Sequence, residues 1–205
     1  PSFTWVGADL RLPAGAGPAD AARLTLRHLA RAQGIRDAVL DTTQLRALHD
    51  VGRGPLVAQF EQRVDQIEVF QAGLNIALTR DLKPVAATGT LAKALRPKSR
   101  DFGGVPNGAI ATAVSTMTGA AASPAQVSQT AAVDPAGYGR YAVSSAGAPT
   151  ARAKRVWYPQ PGGLVPAHYV EVEVGAQEGT DSRLEAFVVS AAGEVLFRKD
   201  LVAAD

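Results

Sequence analysis

Only three histidines are available to a catalytic centre, and their neighbours do not equip them for one. His28 is followed by Leu29, His49 by Asp50 and His168 by Tyr169, so the H-E-x-x-H helix of a zinc peptidase is missing. His49 and Asp50 are adjacent, which does not make a triad, and no serine sits in a G-x-S-x-G elbow. His168 shares strand parity with Val170, Val172 and Val174, which predicts a partly packed ring at a sheet edge. Glu171 and Glu173 also share a strand face. Paired carboxylates suit acid–base work, but alternation with three valines assigns them to a solvated side. Gly15 and Gly17 are followed by Asp20 where a dinucleotide loop needs its third glycine. Gly103, Gly104 and Gly108 lack the Lys-Ser/Thr of a P-loop. Arg152, Lys154 and Arg155 lie beside Trp157 and Tyr158, as in a base-stacking strand. The simpler reading puts those cations in water and the aromatics on the core. These residues assign no catalytic, metal or cofactor site to this chain.

Composition narrows the field further. The 205 residues carry 21 basic and 19 acidic side chains, a formal charge of +2, without the concentrated basic face that nucleic acid requires. There is no cysteine, so disulfides, thiolate metal sites and cysteine nucleophiles are excluded. No apolar run reaches the roughly 20 residues of a membrane span, so no membrane insertion is expected. Hydrophobic residues make up 46%, enough for a globular core, and 20 glycines with 13 prolines predict many turns and short strands. The start at Pro1, with no charged-then-apolar leader, reads as an excised piece of something longer, with any signal peptide removed or never included.

The elements that must position these residues follow from periodicity. Phe3, Trp5, Val6, Leu10 and Leu12 are available for packing in the lead-in. Pro18, Asp20 and the set Ala22, Leu26, Leu29 and Ala30 predict a helix over 18–33 that stops at Gly34. A second short helix is expected over 42–49. From Leu56 the period becomes two, with Leu56, Ala58, Phe60 and Val64 on one face, a turn at Asp65 and Gln66, and further strands at 67–69, 74–78 and 85–91. The basic stretch 93–104 reads as a domain boundary. Beyond it Asn107 is expected to cap a helix carrying Ile110, Ala113, Val114 and Met117, which ends near Gly119. After a polar connector, strands are expected at 141–143, 155–158, 169–174, 184–189 and 195–201. The expected fold is therefore α+β: two cystatin-like units, 1–100 and 101–205, each a helix packed on an antiparallel meander.

Two sets of residues resemble a known family. Phe60 and Gln62, then Gln66, Ile67, Val69 and Phe70, then Asn75, Ile76 and Leu78, and finally Val85, Thr88 and Gly89 resemble the propeptide domain of fungalysins and thermolysins, called FTP. Gln66 and Leu82 stand where that family usually has glycine, both at turns. Arg155 to Tyr158, the run Leu164 to Val174, and the hairpin Val188 to Arg198 with Ala192 and Gly193 at its turn resemble a PepSY domain. Together the resemblances cover 18–202.

The resemblance implies a function. Such prosegments hold a secreted zinc metallopeptidase latent by covering its cleft and assist its folding. The partner would be the cognate metallopeptidase catalytic domain, which would carry the zinc, and the location would be extracellular. Leu201, Val202 and Ala203, after the last strand, are the residues expected to enter or border the cleft. Phe60, Gln62, Ile67, Val69, Phe70, Gly89, Gly193 and Arg198 are expected to be structural. The alternative is a stand-alone protein-binding or protease-inhibiting module of the cell envelope.

Overall fold

The computed structural model describes residues 2–6, 10–145, 147–175 and 182–202, with Ser2, Phe3 and Trp5 as backbone only. The expected packing of Phe3 and Trp5 therefore lies outside the described residues. The chain divides into two compact units, Pro1–Leu95 and Arg96–Asp205.

The first unit opens with strand β1 (Ser2–Trp5) and helix α1 (Pro18–Ala32). Pro18 begins α1 with its φ already helical, and the Asp20 carboxylate accepts the Gly17 N–H at 3.2 Å. One helical turn, α2 (Asp37–Leu40), follows, then β2 (Thr43–His49), β3 (Leu56–Val64), β4 (Ile67–Leu78) and β5 (Pro84–Thr90). All pairings are antiparallel, in the order β2, β3, β4, β5, β1. Ala22, Leu26 and Leu29 of α1 pack on Leu56, Ala58, Phe60, Ile76 and Leu78. Each large aliphatic side chain buried there contributes about 1.5–3 kcal/mol.

The second unit contains α3 (Asn107–Thr118), a 3-10 turn at Pro124–Gln126, and strands β6 (Val127–Ala131), β7 (Gly139–Val143), β8 (Thr150–Gln160), β9 (Gly163–Val174), β10 (Arg183–Ser190) and β11 (Val195–Asp200). These strands pair in sequence order, all antiparallel. Ile110, Ala113, Val114 and Met117 pack on Tyr141, Val170, Val172, Phe187 and Val189.

The α+β expectation of two cystatin-like units does not hold. The protein is mostly β, with eleven strands against three short helices among the described residues. Several strands went unread in the sequence for identifiable reasons. The segment 42–49 has good helix formers but is β2, because the Thr42 and Thr43 hydroxyls donate to Val39 O and Leu40 O (2.7 Å each) and end the helical turn. Pairing of Thr43 with Gln62 then overrides local propensity. β1 lies in the lead-in and β6 in the presumed connector, where only one of five residues, Val127, is buried. Asn107 is not the cap of α3 but its first residue; its amide donates to Val127 O at 3.0 Å, tying the helix to β6.

Candidate functional site

The family-like residues are clips and turns inside the two units. Phe60 is a core residue and Ile67 closes the β3–β4 hairpin opposite Val64. Val69 and Phe70 are both buried, next to Gln71 at φ +53, where β4 bulges out of register with β3. Gln62 is 0% exposed: its Nε2 donates to Thr42 Oγ1 and Ala92 O (3.0 Å each), and its Oε1 accepts the Ala92 N–H at 2.9 Å. One side chain thus fastens β3 to the chain just before β2 and just after β5. Gly89 has φ +123, and a Cβ there would overlap Gly73 O on β4. The turn at Asp65 and Gln66 has φ of +51 and +63, and Leu82 has +63, so both glycine substitutions noted in the sequence fall on left-handed positions. Gly193 turns the last hairpin at φ +85, and Arg198 binds Glu185 across it.

The residues with chemical potential are mostly dispersed. His28 and His49 are exposed. Asp50 turns away from any triad to a bidentate pair with Arg80 at 2.6 and 3.1 Å, and this hydrogen bonding lowers its pKa. His168 is not at an edge but on β9, between β8 and β10, and is 3% exposed with its Nε2 unpartnered. Burial, helped by the Arg155 charge, lowers its pKa to about 4, so the ring is neutral. Phe102 meets it edge-on at 6.4 Å and carries the Arg155 guanidinium on its own ring at 5.5 Å. No three His, Asp or Glu among the described residues form a metal-binding group, and none of their helices is long and apolar enough to cross a membrane.

One surface does gather side chains. On the β7–β9 face away from α3, strand register aligns Arg140, Arg152 and Glu171 in one row and Lys154 and Tyr169 in the next. Glu171 is not solvated as its alternation suggested: it is 8% exposed and accepts Arg152 Nε at 2.6 Å. Tyr138 is brought to this face by its loop, where Asp134 N–H donates to Tyr138 O and Asp134 Oδ1 accepts the Tyr138 N–H, both at 2.9 Å. Arg152 and Lys154 lie over the Tyr138 ring at 4.8 and 4.7 Å, and Tyr169 meets that ring edge-on at 6.3 Å. Burial, then the Glu171 charge, raises the Tyr169 pKa, so its hydroxyl stays protonated. The cations occupy ring faces that a nucleobase would need. Below them lies a groove of about 440 Å³ lined by Arg140, Thr150, Arg152, Glu171, Glu173 and Leu184. The basic residues are visible in the sequence, but the cluster is not, because Tyr138 joins it through a loop and the β9 carboxylates through strand register.

The expected cleft residues lie at the end of the same ladder. Leu201 N–H donates to Leu184 O at 2.8 Å, continuing the β10–β11 pairing, and Leu201 and Val202 are 37% and 48% exposed. Ala203 lies outside the described residues. Compared with protein-family models the chain matches none, and no curated protein is significantly similar to it.

Proposed function

We propose that this chain is a non-catalytic prosegment that keeps a secreted thermolysin- or fungalysin-like zinc metallopeptidase latent and assists its folding. The observation that carries the reading is the exposed apolar pair Leu201 and Val202, which follows β11, a strand that pairs with β10 alone among the described strands. A peptidase cleft binds extended backbone by strand addition and favours bulky apolar side chains in its pockets. The Tyr138, Arg152 and Tyr169 surface supports the same reading, since tyrosine and arginine dominate binding energy at protein interfaces. In this scheme the folded face supplies affinity and the tail supplies obstruction. The zinc belongs to the partner's catalytic domain, and no residue of this chain is required to hold it.

Titration of the cognate metallopeptidase with the full chain and with a chain ending at Asp200 tests the proposal. Both should bind, and the shorter chain should inhibit at least about tenfold less. Equal inhibition constants would remove the tail from the mechanism, and failure of both chains to bind would remove the function.

A further inference from the structure

The first unit has a trough on the α1 side of its edge strand β2. In β3 the inward residues Leu56, Ala58 and Phe60 are buried, whereas Thr43 and Leu45 of β2, which share that face, are only half-buried. Between α1 and β2 this incomplete cover leaves a cavity of about 440 Å³. Its apolar lining is Leu26, Leu40, Leu45 and Phe60, and Arg23 and Arg27, one helical turn apart on α1, stand at its rim. Arg27 has no ion pair among the described residues, and Arg23 has only an exposed contact with Asp20 at 3.6 Å.

The geometry points to a site for the carboxyl terminus of an extended peptide that ends in an apolar residue. Three features select that occupant. Two arginines at neighbouring helix positions supply converging donors for one carboxylate. The leucine and phenylalanine floor takes an aliphatic side chain. β2 pairs only with β3, so its alternate peptide groups face outward and need backbone, which a simple amphiphile lacks. The β2–β3 register shifts between Leu45 and Ala47, so the regular edge is short and suits a chain end rather than a long added strand. Asp41 also lines the trough, so the two arginines leave one net positive charge there to meet the terminal carboxylate.

Fluorescence anisotropy on the full chain tests this, using a labelled hexapeptide that ends in valine and leucine with a free carboxylate. The expected dissociation constant is on the order of 10 μM, weakened about tenfold or more by amidating the peptide terminus. Arg27→Gln and the pair Arg23→Gln with Arg27→Gln should weaken binding to the same extent; both positions are exposed, and an unchanged melting temperature will report an intact fold. Amide and carboxylate peptides binding alike, or neither binding, overturns the proposal. Octanoate competing as well as the free peptide also overturns it, because the occupant would then be an amphiphile. Neither result bears on the second unit's face, where the prosegment reading rests.

Discussion

Arg198 Nε lies 2.6 Å from Oε2 of Glu185, and this contact holds the edge strand β11 to β10 through a carboxylate that is only 3% exposed. A second arginine, Arg183, reaches Oε1 of the same carboxylate at 2.6 Å. The hydrogen bond from Arg198, then that from Arg183, holds the Glu185 pKa below its ordinary value. Arg198→Ala leaves a buried carboxylate with half its partners, and unfolding in urea should show a loss of about 2 kcal/mol. The stabilisation is fully present above the unfolded carboxylate value of 4.5 and disappears as pH falls through the lower folded value. An Arg198→Ala protein as stable as the parent would show that Arg183 alone suffices.

His168 should make the fold acid-sensitive in a separate, higher window. Its folded pKa of about 4 lies below the free value of 6.5, so between the two the unfolded chain binds the extra proton. The His168 contribution should be complete above pH 6.5, fall by about 3 kcal/mol on the way to pH 4, and change no further below. His168→Leu should flatten this limb in a series of denaturation midpoints. An unchanged slope would place the sensitivity elsewhere.

Gln62 should tolerate no apolar replacement. Gln62→Leu matches its bulk but takes the amide from both backbone groups of Ala92 and leaves the Thr42 hydroxyl only its bond to Val39 O. The expected cost is about 2–3 kcal/mol, read from the urea midpoint. Amide exchange at Ala92 should accelerate with it.

Gln66 and Leu82, two of the non-glycine residues at left-handed positions, should respond oppositely to glycine. Gln66→Gly relieves a φ of +63 at a turn where the side chain is exposed, and should gain about 0.5–1 kcal/mol. Leu82→Gly relieves a similar φ but removes a side chain packed on the first core, so it should lose about 1 kcal/mol. Matched thermal scans decide both, and a gain at Leu82 would mean its packing contributes little.

How much of this was readable beforehand depends on the range of the interaction. Helix α1 was legible because Pro18, Asp20 and the spacing of Ala22, Leu26 and Leu29 act within a few residues of one another. The turn at Asp65 and Gln66 was legible as a phase change in a period-two pattern, although its positive φ angles were not. The two glycine-like anomalies, Gln66 and Leu82, were visible as departures, and only the backbone shows why glycine would suit both places. The absence of catalytic spacing was also a property of sequence alone.

Everything that depends on pairing had to wait for the tertiary structure. Good helix formers at 42–49 became β2 because β3 offered a partner, and β6 was hidden by its polarity. Parity alone suggests an edge for His168, but parity reports the face of a strand and never its neighbours; with β8 and β10 on either side the ring is buried. Glu171 was assigned to water on the same ground, and Arg152 on β8 removes it. Alternation fixes the side on which a residue lies. Which residues lie beside it, and hence which charges meet, is decided by register between strands far apart in sequence.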